Sequence, residues 1–272
     1  MNLPAAAFDC IRAVVRERSA IVLEPGKEYL VEARLSPIAR ARGLANIEAL
    51  ARMLTPANPE LIAEVVQAMT TNETSFFRDQ HPFEALRHHV LPDVIRARRS
   101  SATIDVWCGA CSTGQEPYSL AMLIRDHFPE LAGWKLRIIA TDLSTAVLDR
   151  AREAKYRQLE VNRGLSAAQL VKHFDREGLD WRLKSSIRNM VEFSQLNLLD
   201  VWLNLPRFDI VFMRNVLIYF DVEVKRAILK KVRQQLSPKG FLFLGGAETT
   251  LNLDEHFERA PYERAGCYRL TG

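Results

Sequence analysis

Beginning at Thr103, short apolar runs alternate with longer amphipathic stretches, and this rhythm limits the fold more than any other feature of the chain. Runs at 103–107, 136–140, 208–213 and 241–244 have the length and composition of buried strands, while 116–128, 145–154 and 222–236 carry helical periodicity. Strands that are apolar throughout, separated by helices, fit a mostly parallel sheet covered on both faces, the doubly wound α/β arrangement. The segment from Gly266 to Leu270 is expected to add an antiparallel edge strand. One stretch breaks the rhythm: 179–184 and 188–193 read as short strands inserted in a crossover, a small antiparallel β-subdomain at about 175–193.

Upstream the pattern is helical. Apolar periodicity recurs around Phe8–Val15, Tyr29–Leu35 and Ile47–Leu54; Gly43 sits where a helix would end, and Asn58-Pro59-Glu60 has the form of a helix start. A further helix is expected from about Pro82 to Arg98. At 272 residues the chain can hold two cores. The expected division is a helical domain at 1–70, a linker and helix at 71–100, and an α/β domain at 101–272.

The turn after the first expected strand reads Asp105-Val106-Trp107-Cys108-Gly109-Ala110-Cys111-Ser112-Thr113-Gly114-Gln115-Glu116. Its Cys-x-x-Cys spacing permits a redox reading, which needs an accessible, low-pKa thiol. Its Gly-x-x-x-x-Gly frame permits a ligand turn at the carboxyl edge of a doubly wound sheet, where glycines let backbone N–H groups approach a nucleotide. A plain tight turn is the third reading. Asp142, closing the next strand, adds weight to the nucleotide reading, because a carboxylate there accepts both ribose hydroxyls; it also suits a helix N-cap together with Ser144. Neither Gly-x-Gly-x-x-Gly nor Gly-Lys-Ser/Thr occurs at this turn, so the expected ligand is an adenosine without a phosphate tail, and S-adenosylmethionine meets that description.

Bulk properties exclude several classes. A formal charge of +4, with acids and bases interleaved, does not make a nucleic-acid surface, so no nucleic-acid partner is expected. Four cysteines and no charged-then-apolar leader do not describe a secreted disulfide scaffold, and no apolar run approaches a membrane span, so no membrane insertion is expected. A cytoplasmic protein is the expectation. No clustered His/Cys ligand set is present in the sequence, and no metal is expected.

Several segments together carry a resemblance: Thr71-Asn72-Glu73-Thr74-Ser75-Phe76-Phe77-Arg78, Ser112-Thr113-Gly114-Gln115-Glu116-Pro117-Tyr118-Ser119, Ala140-Thr141-Asp142, Val191 to Leu199, and Arg214-Asn215-Val216-Leu217-Ile218-Tyr219-Phe220. In this order and over nearly the whole chain, the sequence resembles the CheR-type chemoreceptor methyltransferases. The resemblance implies a Rossmann-like class I methyltransferase sheet and transfer of methyl from S-adenosylmethionine to receptor glutamates, leaving S-adenosylhomocysteine. By motif, Asn72, Thr74 and Arg78 resemble the linker residues that close over the cofactor. Glu116 and Asp142 resemble the acids that hold its amino-acid and ribose parts, and Asn197, Leu198, Arg214 and Asn215 those flanking the adenine and methionyl end. Cys108 and Cys111 are then incidental.

A sulfonium methyl needs only an aligned, desolvated carboxylate, already ionised at neutral pH, so neither metal nor general base is required. Arg78 and Tyr219 are the catalytic candidates for orienting that carboxylate; the alternative readings are that Arg78 only holds the cofactor and that Tyr219 is a packed aromatic. The resemblance also gives the helical domain a role in docking the chemoreceptor, with Arg34, Arg40 and Arg42 either forming a basic face or a solvated one. Phe76 and Phe77 are expected to pack between domains. The short link at Lys184–Arg188 speaks against tethering of a receptor's C-terminal peptide. The competing readings are a same-fold methyltransferase acting on a small molecule or RNA, and a receptor-binding module without catalysis.

Overall fold

The computed structural model describes residues 3–203 and 205–271, so the expected domain limits at 1 and 272 lie outside the described residues. The chain divides into two compact units, Met1–Thr71 with Tyr219–Val224, and Asn72–Ile218 with Lys225–Gly272.

The first unit is built on four helices, α1 (Ala5–Ser19), α2 (Glu28–Ala41), α3 (Ile47–Arg52) and α4 (Pro59–Ala68). Their apolar faces meet in a core that includes Ile11, Val15, Val31, Leu35, Leu50 and Val65. Asn46 caps α3 by accepting the Ala49 N–H at 2.9 Å. Asn58, at the N-cap position of α4, instead turns its side-chain amide to the Met53 carbonyl at 3.3 Å, so Pro59 and the first-turn Glu60 carry the start signal. Within this unit the Tyr219 carbonyl accepts the Val22 N–H at 3.0 Å, and Asp221 pairs with Arg16 at 3.1 Å.

The second unit holds strands β1 (Thr103–Gly109), β2 (Lys135–Asp142), β3 (Lys155–Arg157), β4 (Phe174–Glu177), β5 (Asp180–Leu183), β6 (Val191–Gln195), β7 (Phe208–Phe212), β8 (Leu236–Phe243), β9 (Phe257–Arg259) and β10 (Cys267–Leu270). Seven form the main sheet in the order β6-β2-β1-β7-β8-β10-β9. The first five in that order are parallel, and β10 and β9 run antiparallel to their neighbours. The apolar runs are strands because both faces are covered: every residue of β7 is buried, as are six of the seven in β1. The remaining three strands make a small antiparallel sheet, β3-β5-β4.

Two expectations about strands change. The run at 188–193 is not part of the insertion: Val191–Gln195 pairs parallel with β2, placing Val191 opposite Ile138, and forms the edge of the main sheet. The small sheet draws instead on Lys155–Arg157 and Phe174–Glu177. The segment 266–270 is antiparallel but not the edge, since β9 flanks it. Two of the strands concerned, Lys155–Arg157 and Phe257–Arg259, are three residues long, too short to show any alternation.

Phe76 and Phe77 also differ from expectation. Both pack within the second unit, Phe76 edge-on to Tyr156 (5.0 Å) and Phe174 (5.5 Å), Phe77 against Phe83 (5.2 Å). Gly164 seats this contact: at φ +106° it passes so close that a Cβ would fall 1.8 Å from the Phe76 carbonyl oxygen.

Candidate functional site

The parallel strands deliver their carboxyl ends to one edge of the sheet, and the turns leaving β1, β2 and β7 gather most of the candidate residues there. The turn after β1 is shaped by three left-handed residues, Ala110 (φ 56°), Ser112 (φ 52°) and Gly114 (φ 90°). Gly114 opens the helix Gln115–His127, and a Cβ on it would meet Ala151 at 3.0 Å and the Tyr118 ring at 3.1 Å, so close packing as well as φ requires glycine. The Cys111 N–H donates to the Thr141 carbonyl at 2.9 Å, tying the turn to the end of β2.

Asp142 is the hub of this side. One carboxylate oxygen accepts the Ser112 N–H at 2.8 Å and the other the Ser144 N–H at 3.0 Å. Burial raises its pKa, while the backbone donors of Ser144, Ser112 and Leu143 pull it down. Asp142 does not cap the following helix, whose N-cap position is Ser144; it takes the Ser144 N–H with one oxygen and serves the glycine turn with the other, and a carboxylate accepts more than two hydrogen bonds. The Ser112 hydroxyl donates to the Asn72 carbonyl at 2.8 Å, bringing the linker motif to the same place. On the far flank the Leu196 N–H donates to the Asp142 carbonyl at 3.0 Å, so Asn197 and Leu198 emerge beside it. Leu198 is buried, and the Asn197 side chain accepts the Leu199 N–H at 3.1 Å.

Arg214 is the second hub. Its side chain is 1 % exposed and bridges Glu116 (2.8 Å), Asp79 (2.7 Å) and the Arg78 carbonyl (3.0 Å), with Phe83 beneath the guanidinium at 5.8 Å. Burial pushes the Glu116 carboxyl up against the pull of Arg214. The Arg214 Nε is buried without a hydrogen-bond partner. Arg78 joins this cluster through its main chain, while its side chain donates to the Glu73 carbonyl at 2.9 Å. The backbone between them is bent tightly, with Phe77, Asp79 and Gln80 at positive φ. Thr74 lies half-buried in the same linker.

Asn215, in the left-handed region at φ 58°, follows Arg214 and is anchored by a residue that sequence reasoning missed. The Glu248 carboxylate accepts backbone N–H groups from Asn215 (2.8 Å), Val216 (2.9 Å), Leu217 (2.7 Å), Ile218 (3.3 Å) and Gly245 (2.6 Å). The available signal was an acid two residues beyond the Gly245-Gly246 pair that follows β8. Asp79 was missed too, sitting next to a motif residue with no pattern of its own.

Tyr219 belongs to the first unit, where it is half-buried. Arg34 does not offer a free basic face: it donates to the Met69 and Thr70 carbonyls, both at 2.8 Å, and to the Thr71 hydroxyl at 3.1 Å, closing the end of α4. Arg42 pairs with Glu64 at 2.8 Å, and Arg40 is exposed. The redox reading fails on burial. Cys108 and Cys111 are buried, and desolvation pushes both thiols well above their ordinary range, the reverse of a reactive pair. Among the described residues no helix is long and apolar enough to cross a membrane, and no three His, Cys, Asp or Glu side chains gather as metal ligands.

The arrangement therefore places a glycine turn beside a buried acid at the end of β2, and an arginine–acid cluster after β7. Comparison with known proteins identifies the family. Residues 72–265 match the family description "CheR methyltransferase, SAM binding domain", and residues 6–70 match "CheR methyltransferase, all-alpha domain". The chain is 42% identical over 274 residues to chemotaxis protein methyltransferase 1 of Pseudomonas aeruginosa, covering 99% of each. It is 40% identical to chemotaxis protein methyltransferase Cher2 of Pseudomonas putida (92% of this chain, 93% of the relative). It is 36% identical to the chemotaxis protein methyltransferase of Escherichia coli (94% and 89%).

Proposed function

The chain belongs to the CheR methyltransferase family, and on that premise we propose how its residues carry out S-adenosylmethionine-dependent methylation of glutamate side chains on the cytoplasmic helices of a chemoreceptor. The observation that carries the reading is Asp142, a buried acid at the end of β2 whose two oxygens are held by the backbone of Ser112 and Ser144. In this reading Asp142 keeps capacity to accept the ribose hydroxyls, with Asn197 and Leu198 flanking the adenine. Arg214, Asn215 and Glu116 flank the amino-acid end, and Asn72, Thr74 and Arg78 lie over it from the linker.

The bound cofactor supplies a methyl group already activated by its sulfonium. What remains for the protein is to align a carboxylate oxygen behind that methyl and exclude water. Arg78 takes the orienting role in the second unit, its guanidinium able to hold one carboxylate. An acceptor glutamate is ionised at neutral pH, so no residue need remove a proton. Docking of the receptor falls to the helical unit through Arg40 and Arg42, since Arg34 is occupied within α4. The enzyme then works in the cytoplasm, where the receptor's signalling helices lie.

The test is transfer of labelled methyl from S-adenosylmethionine to a receptor cytoplasmic fragment, followed by mild alkali. Label released as methanol is the expected result and identifies a carboxyl ester. Alkali-stable label would move the acceptor to nitrogen and refute the glutamate reading.

A further inference from the structure

We infer that a cavity at the carboxyl end of β8 is a carboxylate-binding subsite for the acceptor polypeptide, with Arg259 and Arg264 as its cationic walls. The inference rests on the protein-glutamate reading above and extends it from the reacting side chain to an acidic neighbour on the same acceptor.

The cavity measures about 510 Å³ and is walled by the glycine turn Gly245-Gly246, Glu248, Arg259, Arg264 and Tyr268. Arg259 stands opposite Tyr268 in the β9–β10 register, so the two side chains share a face and line the space together. Arg264 occupies the left-handed region at φ 54°, in a turn seated hard against the end of β8: a Cβ on Gly266 would fall 2.4 Å from the Leu244 carbonyl oxygen. A non-glycine residue in that region is strained, so the surrounding packing fixes where this stretch of backbone runs.

Charge decides the occupant. Arg98, Arg137 and Arg214 each sit against a carboxylate, whereas among the described residues neither Arg259 nor Arg264 is paired with one. Glu248, the acid on the wall, has its oxygens occupied by five backbone N–H groups and pairs with neither of the two exposed guanidiniums, so the wall keeps a net positive charge. A cavity with two unpaired guanidiniums and a glycine backbone selects a planar anion, and a carboxylate fits a guanidinium fork.

Position assigns that carboxylate to the acceptor rather than to the cofactor. Asp142 ends β2 on one side of β1, while the cavity lies beyond β7 on the other. Glu248 is shared between the cavity wall and the Asn215 backbone, so a group held there lies one side chain away from the loop carrying Arg214 and Asn215.

The experiment measures binding of a fluorescent glutamate-rich helical peptide to the full-length chain saturated with S-adenosylhomocysteine. Arg259→Gln/Arg264→Gln should weaken the peptide about tenfold, and a peptide with its flanking glutamates changed to glutamine should bind the wild type and the variant alike. Gly246→Val provides a steric block without changing charge: a Cβ there meets nothing within 4 Å, so the fold tolerates it while the cavity narrows, and peptide affinity should fall several-fold. S-adenosylhomocysteine affinity should stay within twofold in all variants. Equal peptide affinities for wild type and the double variant would overturn the subsite, and a parallel loss of S-adenosylhomocysteine affinity would reassign the cavity to the cofactor. Because the readout is binding, it is independent of the alkali test, and failure of either reading is seen separately.

Discussion

The two ends of the main sheet handle buried acids in opposite ways. At the amino end, Asp209 meets Arg98 at 2.5 Å and Asp105 meets Arg137, and Asp209 also accepts the Asp105 N–H at 3.1 Å, with Arg98 reaching Ser237 at 2.8 Å. Each acid there has its own half-exposed arginine, and the cluster closes on itself. At the carboxyl end, Asp142 and Glu248 are met by backbone N–H groups, and Glu116 must share one fully buried arginine with Asp79. The first arrangement joins strands; the second keeps charge buried, and at Asp142 and Glu116 burial raises the carboxyl pKa. Sites that hold ligands retain such imbalance, whereas structural ion pairs remove it.

The sharpest way to break this contrast is to remove one arginine from each end. Arg214→Gln strands Glu116 and Asp79 around a buried site and should destabilise the second unit by about 3–5 kcal/mol in urea unfolding, as expected for one partner lost from a buried pair. Adding Glu116→Gln should restore a good part of that. Arg98→Gln, at a side chain 37% exposed, should cost about 1 kcal/mol. Equal losses at the two ends would erase the distinction.

A smaller effect tests the glycine turn. Gly114→Ala places a Cβ against Ala151 and Tyr118 at φ +90°, and should destabilise by about 1–3 kcal/mol while weakening S-adenosylhomocysteine binding. A calorimetric titration beside a melting curve checks both.

The pH dependence sharpens the comparison further. Asp142 and Glu116 are acids whose folded pKa is raised, so the folded state binds their protons more tightly than the unfolded chain does. They therefore oppose folding at neutral pH, and that opposition is relieved as pH falls through the raised values. Asp126 has the opposite sign: although burial alone would raise its pKa, hydrogen bonds from Lys172 and His173 lower it overall, so its stabilisation is lost only as pH falls below the ordinary aspartate range. Replacing Asp142 by asparagine should thus flatten the acid side of the stability profile just above the ordinary carboxylate range, measured by chemical denaturation at a series of pH values.

The least effect is expected at the cysteines. Cys111→Ala should leave methyl transfer within twofold, and an alkylating reagent should spare Cys108 and Cys111 in the native protein, since both thiols are buried and held far above their ordinary pKa.

Much of the second unit was legible because its strands are buried on both faces and its helices are long enough to show a period. The small sheet was only half legible. Asp180–Leu183 carries an alternating pattern, but its partner Lys155–Arg157 is three residues directly after a helix and is a strand only through pairing. Asp142 was readable as a strand-end acid, but its two backbone partners, Ser112 and Ser144, were not, because one of them lies 30 residues upstream in the glycine turn. Arg34 was misread because its three oxygen partners lie 35 to 37 residues downstream, and a helical face in sequence says nothing of which distant carbonyls it meets. Glu248 was invisible for a similar reason: its role is to collect N–H groups from a loop 30 to 33 residues earlier, which no local pattern encodes.

If the carboxyl-end acid serves a ligand and the amino-end acid serves the fold, calorimetric titration of S-adenosylhomocysteine into Asp142→Asn and Asp209→Asn separates them. At least a hundredfold loss of affinity is expected for Asp142→Asn with the fold retained, and affinity within twofold for Asp209→Asn with a lowered melting temperature. Retained affinity in Asp142→Asn, or equal losses in both variants, would contradict it.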